Sequence, residues 1–168
     1  MSVNNPGKAL GQFAERPGSD TIRCNKASGI TITAGRLAKA DVSTAPDSWV
    51  TCSAATNQLG PFVYPVETKG SGTLEFSARI LDVVYLEGDA AIEPGREVQA
   101  STTIAGGVTT FVQTTLTGSY VQADQIAAQQ DRQRVVGVCL GTAETWNTGA
   151  PLAGAINNLF AIRLTAGF

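Results

Sequence analysis

The chain has 168 residues, a formal net charge of −2 and no histidine. Charged residues make up only 15% of it, against roughly 25% in an average soluble domain. This composition offers no clustered positive charge for a phosphate backbone, so we expect no nucleic-acid partner. The absence of histidine removes Ser-His-Asp and Cys-His triads and histidine-bearing zinc sites.

No apolar run approaches the ~20 residues that a helix needs to span a bilayer, so we expect no membrane contact. Residues 1–7 lack the charged start and apolar core of a secretory signal, which favours a chain made in the cytoplasm. Residues 1–20 contain two Pro-Gly dipeptides, with Leu10 and Phe13 as isolated apolar residues between them. We interpret them as an extended arm whose Leu10, Phe13 and Arg16 contact a neighbouring subunit, with a disordered tail as the alternative.

Residues 21–168 are predicted to form a single all-β domain, an antiparallel barrel or sandwich with one short helix. Their apolar residues alternate or form short runs bounded by Gly, Pro, Asn and Asp. The helix is predicted over Ala123–Arg132, where good helix formers follow an acidic first turn. The predicted strands are Thr21–Cys24, Ile30–Thr33, Arg36–Ala40, Trp49–Ser53, Phe62–Glu67, Leu74–Leu86, Glu97–Thr103, Val108–Leu116, Arg134–Leu140 and Leu159–Thr165.

A weak internal echo divides this domain into two pseudo-repeats, 21–82 and 83–168. The segment 32–40 aligns with 92–100, and Ile, Gly, Arg and Ala coincide at four of the nine positions. The pattern Phe-x-x-Arg also occurs twice, starting at Phe76 and at Phe160, in the last predicted strand of each half. Duplication and chance coincidence both remain open at this point.

The chain lacks a recognisable catalytic, cofactor or metal site. Asp82, Glu87 and Asp89 lie close together in sequence, but solvated turn residues explain them better than a glycosidase pair. A calcium loop at Glu87–Asp89 would need further oxygen ligands. The glycine-rich stretches lie between strands, as hairpin turns do, and three separated cysteines without CxxC spacing form no zinc knuckle. We therefore expect a chain that is not an enzyme.

Two tryptophans and one hairpin are candidates for contacts with a partner. Trp49 and Trp146 each lie near a turn-rich segment, where a tryptophan either covers a core edge or anchors a partner. The stretch 102–117 alternates Thr with apolar residues and has almost no charge to protect an exposed edge. We expect that edge to be covered by the fold or by another copy.

The second half contains three segments with a familiar pattern. Gly88–Val98 places a glycine turn before a strand, Arg134–Ala143 carries a Val-Gly-Val strand after an Ala-rich helical stretch, and Phe160–Gly167 is a closing strand. Together these segments resemble small capsid decoration, or cement, proteins of tailed bacteriophages and related viruses. The resemblance covers residues 83–167, and the chain departs from it in its longer first half and in the insertion Glu144–Asn157.

The resemblance implies a compact β-barrel or tulip-like unit on the outer surface of an assembled capsid. Its implied partners are the major capsid protein and copies of itself, as a homotrimer or another homo-oligomer. Its implied role is to stabilise the shell by bridging capsid subunits. Two alternatives remain: a tail-tube, connector or head-fibre component of the virion, and a carbohydrate-binding β module that stacks sugars on its tryptophans and tyrosines.

Overall fold

The computed structural model describes residues 21–41, 48–55, 58–114, 122–142 and 159–165, with the side chains of 122–124 left aside. The described part consists of ten strands and one helix. The elements are β1 (Thr21–Asn25), β2 (Ala38–Asp41), β3 (Ser48–Thr51), β4 (Phe62–Pro65), β5 (Glu75–Arg79), β6 (Val83–Glu87), β7 (Glu97–Ala100), β8 (Val108–Thr110), α1 (Gln122–Arg134), β9 (Val135–Thr142) and β10 (Leu159–Leu164).

Two five-stranded sheets divide the chain, and every pair of neighbouring strands in them is antiparallel. We call β1–β5 the first unit and β6–β10 the second unit. The first sheet has the order β1-β5-β4-β2-β3 and the second β6-β10-β9-β7-β8. A parallel bridge joins Lys26 to Trp49 in the first unit, and another joins Gly88 to Val108 in the second. These bridges bring the outer strands of each sheet together, so each sheet curls towards a small barrel. The all-β prediction is confirmed.

The two units have the same strand order and matching strand registers. Thr21 lies opposite Arg79 in the first unit, as Val83 lies opposite Arg163 in the second. The next four cross-strand pairs along β1 and β5 also correspond to the next four along β6 and β10. The cross-strand pairs of β2 with β3 match those of β7 with β8 in the same way. The second unit is therefore a geometric repeat of the first.

The segments that echo each other in sequence form equivalent turns. Gly35 and Gly95 adopt φ values of 78° and 85°, and the N–H of the next residue, Arg36 or Arg96, closes each turn by donating to the carbonyl three residues earlier. A positive φ at the third turn residue favours glycine, which lacks a Cβ. The Gly35 N–H also donates to the carbonyl of β4 at Pro65, as the Gly95 N–H does to β9.

The buried hydrophobic residues form three clusters: one inside the first unit, a larger one that joins the two units, and a small one in the second unit with Val83, Tyr85 and Ala161. The first cluster contains Cys24, Ile32, Ala38, Val63, Phe76 and Ala78. The second combines inward residues of the second unit, such as Leu86, Val98 and Phe160, with Leu37, Phe62 and Tyr64 of the first. The Tyr64 hydroxyl donates to the carbonyl of Tyr85 at 3.3 Å, which adds a buried polar contact between the units. Core packing therefore holds the units together.

Two strand predictions were wrong. Residues 30–33 form no strand, because they lead into the turn at Gly35 and contribute only an isolated bridge from Ile32 to Lys69. The predicted strand Leu74–Leu86 is two strands, β5 and β6, in different sheets. Asp82 lies in the turn between them, where it pairs with Arg79 and accepts the N–H of Val83 at 2.8 Å, so the chain leaves one sheet and enters the other.

The remaining elements lie close to their predicted positions. The helix prediction was confirmed, and α1 extends to Arg134, which had been predicted to begin the following strand. Strand β8 ends at Thr110, earlier than predicted within the described residues. The predicted arm over residues 1–20 lies outside the described residues. No helix in the described ranges is long and apolar enough to cross a membrane.

Candidate interaction surface

The three carboxylates considered as a catalytic group, Asp82, Glu87 and Asp89, each pair with a different side chain. Asp82 pairs with Arg79, and both side chains are more than nine-tenths buried. Glu87 pairs with Arg36 of the first unit at 2.5 Å. Asp89 accepts hydrogen bonds from the hydroxyls of Ser101 at 2.5 Å and of Thr103 at 3.2 Å. These three groups stabilise turns and the contact between the units, and their arrangement does not form a shared acid–base site.

The three cysteines are buried and unbonded to one another. Desolvation raises the pKa of Cys24 to about 11 and that of Cys52 to about 12, and it also raises the pKa of Cys139. A thiol whose pKa is raised by burial is a poor nucleophile, because the reactive thiolate is scarce at neutral pH. Across the described residues, no cluster of three or more Cys, Asp or Glu side chains could hold a metal ion.

A groove on the outer side of the first unit is lined by charges of both signs. Arg23 pairs with Glu75 at 3.0 Å, and Lys69 pairs with Glu67 at 2.9 Å. The cavity at this groove measures about 160 Å³. Hydrogen bonds from Lys69 and from Ser77 hold the pKa of Glu67 below its ordinary value. The charges largely satisfy one another, so the groove has no strong preference for ligands of either sign.

The second unit carries a helical insertion that the first unit lacks. The connection between β3 and β4 spans residues 52–61, whereas the equivalent connection between β8 and β9 spans residues 111–134 and includes α1. We call residues 111–114 together with the described side chains of α1 the α1 surface. It includes two exposed apolar side chains, Val112 at 66% and Ile126 at 46% exposure. Leu74 and Leu81 are exposed to a similar extent, so exposed apolar side chains alone do not distinguish this surface as a partner site.

A buried network fixes the α1 surface to the second sheet. Asp131 accepts the N–H of Thr114 at 2.7 Å, the Thr114 hydroxyl at 2.8 Å and the Arg134 guanidinium at 3.1 Å. Arg134 also donates to Gln99 of β7 at 2.7 Å and lies over the ring of Phe111. Burial alone would raise the pKa of Asp131, but the hydrogen bonds from Thr114 and the charge of Arg134 outweigh it and lower that pKa. The insertion is therefore anchored by its own polar contacts.

Of the five residues predicted to contact a partner, only Trp49 belongs to the described part of the chain. It lies in β3, is half-buried and packs against the core of the first unit. This packing favours the core-edge interpretation over a sugar-stacking platform. Leu10, Phe13, Arg16 and Trp146 lie outside the described residues, so their predicted roles stay predictions. The Thr-rich edge is partly covered by the fold, because Asp89 donates its N–H to Val108 at 3.1 Å.

The chain is similar to the crystal structure of the N-terminal base of head fiber protein gp8.5 from bacteriophage phi29, with a TM-score of 0.50 and 13% sequence identity. The similarity covers 88% of this chain and 96% of that one. The chain shares its fold with a phage head-fibre base. No protein-family model and no curated protein sequence matches the chain.

Sequence reasoning missed the polar network that anchors α1. The only local sign of it is the spacing of Asp131 and Arg134, three residues apart on a helix, which places opposite charges on one face. Thr114 and Gln99 join the network from distant parts of the chain. Their contribution depends on how the connection folds back onto the helix, and periodicity contains no information about that.

Proposed function

We propose that the chain is a non-enzymatic structural protein of a phage-type virion, located on the outer surface of the head. The observation that carries this proposal is the fold shared with the phi29 head-fibre base over 88% of the chain. The dispersed, paired carboxylates and buried thiols support a role that depends on surfaces. The major capsid protein is the proposed partner, and a homotrimer is the proposed assembly.

Two roles on the head surface fit this proposal. A decoration protein would bridge capsid subunits, as the resemblance of residues 83–167 to cement proteins implies. A head-fibre base would bind the shell and carry a projecting fibre, as the name of the phi29 protein indicates. Both roles use the same physical principle. A protein that binds only the assembled shell stabilises it by RT ln(1 + [L]/Kd) at each site, so many sites add up to a large effect.

Electron cryomicroscopy of virions assembled with and without the chain tests the proposal. Loss of surface knobs together with heads that break at lower temperature would support the decoration role. Loss of projecting fibres, whatever the change in head stability, would support the head-fibre role. Intact heads with missing or shortened tails would contradict both, because the chain would then belong to the tail. Light scattering of the purified chain tests the trimer separately.

A further inference from the structure

Helix α1 has no apolar face that could hold it on the domain. Among its described side chains, only Asp131 is buried, Ala127 and Arg134 are half-buried, and the others are exposed. Within the described ranges, the side chains of residues 125–130 make no hydrogen bond or ion pair with either sheet. A helix of this length is marginal in water on its own, and most helices in proteins are stabilised by packing of an apolar face. The docking of α1 therefore depends on polar contacts.

The polar contacts of α1 with the described part of the chain lie in its last turn. The Asp131 carboxylate accepts the N–H of Thr114 at 2.7 Å and its hydroxyl at 2.8 Å. It also accepts the guanidinium of Arg134, which is itself hydrogen-bonded to β7. The Gln133 carbonyl accepts the N–H of Gly60, in the first unit, at 2.7 Å. These contacts hold the helix at one end.

The anchors at Gln133 and at Asp131 differ in their chemistry. The Gln133 anchor is a backbone hydrogen bond, and the chain continues from there directly into β9, so it forms a fixed end. The Asp131 anchor is charge-assisted, and hydrogen bonds to an ionised acceptor are roughly twice as strong as neutral ones. It joins α1 to Thr114, 17 residues earlier in the chain. Removing the charge of Asp131 therefore weakens all of its contacts together.

We infer that Asp131 is the latch of a helix that opens independently of the sheets. When the Asp131 side chain loses its charge, α1 moves away from the second sheet about its fixed end at Gln133, and both sheets stay folded. An element with few buried apolar contacts opens at a lower free energy than the core strands do. This inference goes beyond the proposed function, because it concerns a motion of the isolated chain and holds whether or not the chain belongs to a virion.

The charged groups around Asp131 determine how the latch responds to pH. Arg132 and Arg134 belong to the same helix, and Glu97 of β7 lines the cavity of about 160 Å³ between α1 and the second sheet. Residues 111–121 contain no Asp, Glu, Lys or Arg. Burial would raise the pKa of Asp131, but its hydrogen bonds and the charge of Arg134 outweigh burial and lower that pKa. The latch is therefore closed above the ordinary carboxyl range and opens as the pH falls through the lowered pKa of the folded state.

Amide hydrogen exchange of the full chain, followed by nuclear magnetic resonance, tests the inference. In the wild type, the amides of Thr114 and of residues 127–131 should exchange about a hundredfold faster than those of β9 and β10, after correction for intrinsic rates. Their exchange should also depend less on added urea, because local opening exposes little surface. Asp131→Asn should accelerate exchange in α1 about thirtyfold, which corresponds to ~2 kcal/mol.

Two control variants separate local opening from unfolding of the whole domain. Asp89→Asn makes the same chemical change at a carboxylate that binds the hydroxyls of Ser101 and Thr103 instead of α1. Ile162→Val removes one carbon from a fully buried side chain of β10. Both variants should accelerate exchange in β9 and β10 several-fold. Exchange in α1 should stay unchanged, because neither variant alters the equilibrium between the docked and the released helix.

The inference is overturned if α1 and β9 exchange at the same rate with the same dependence on urea, or if either control variant accelerates α1 as much as β10. An unchanged α1 in Asp131→Asn would also overturn it, because the carboxylate would then not hold the helix. If Asp131→Asn does not fold, acid titration of the wild type replaces it. The α1 amides should then lose protection at a higher pH than those of β9 and β10, and simultaneous loss would contradict the latch.

Discussion

Replacing Gly106 with alanine tests how the two units are joined. The residue has a φ of +69°, where an L side chain costs about 1–2 kcal/mol. The new Cβ would lie 2.5 Å from the Cβ of Arg36 and 3.0 Å from the backbone N of Leu37. Neither atom is the movable end of a side chain, so relief requires the units to shift apart, at a cost of about 1–3 kcal/mol. Together these effects predict a loss of about 3 kcal/mol in the free energy of unfolding.

Gly95→Ala is the matched control. Gly95 has a similar φ of +85°, but a Cβ there would meet nothing within 4 Å. Its substitution should therefore cost only the backbone strain, about 1–2 kcal/mol. Any gain from restricting the unfolded chain applies to both variants and cancels in their difference. The expected difference of about 2 kcal/mol corresponds to a Tm difference of roughly 4–8 °C for a chain of this size.

Urea unfolding followed by tryptophan fluorescence and circular dichroism measures this difference. The two variants should have the same dependence on urea, because a substitution at either glycine leaves the surface exposed on unfolding unchanged. If Gly106→Ala destabilises the chain no more than Gly95→Ala, the hydrogen bonds of Gly106 with Leu37 and Cys52 do not constrain the units.

Three further predictions concern single sites. Asp131→Asn should reduce the free energy of unfolding by about 2 kcal/mol at neutral pH, because the Arg134 charge loses its buried partner. The pKa of Asp131 is lowered in the folded state, so its stabilising effect is present above the unfolded pKa and disappears as the pH falls through the folded pKa. Urea unfolding should therefore show the wild type and the variant converging in acid, and a constant difference would contradict the assignment. Gly137→Ala should cost about 3 kcal/mol or more in the same assay, since its Cβ would lie 2.2 Å from the Arg163 carbonyl oxygen; a near-neutral result would mean that β9 and β10 can separate. All three cysteines should resist Ellman's reagent in the folded chain and react fully in denaturant, and rapid reaction of the folded chain would contradict their burial.

The sequence predicted the fold class because alternation and turn residues are local signals. The positions of β1, β4 and β10 and the helix followed from those signals. Hydrophobic spacing predicts one strand over Leu74–Leu86 instead of β5 and β6, because apolar residues continue through the junction of the two sheets. That junction contains the buried ion pair between Arg79 and Asp82, and hydrophobic spacing cannot distinguish it from a strand interior.

The candidate interaction surfaces were less accessible to sequence reasoning. The glycines at 106 and 107 were interpreted as a hairpin turn, and they do lie between two paired strands. That interpretation could not show that the turn docks into the other unit, because docking depends on the relative placement of two sheets. The cavity between α1 and the second sheet is lined by residues of β7, of 111–113, of α1 and of β9, so no single segment of the sequence predicts it.

The backbone equivalence of the units is accompanied by similar residues mainly at the turns and at inward positions, which explains why the sequence echo is weak. Phe76 and Phe160 occupy equivalent inward positions, and both are 1% exposed. On the outward side of the same strands, Arg23 is largely exposed in the first unit, whereas its counterpart Tyr85 is 2% exposed in the second. Interior packing restricts the residue types at inward positions, while the outward positions have adapted to different surroundings. A partner that binds the outer surface of one unit therefore contacts different side chains from those on the other unit, although the two units share their strand arrangement.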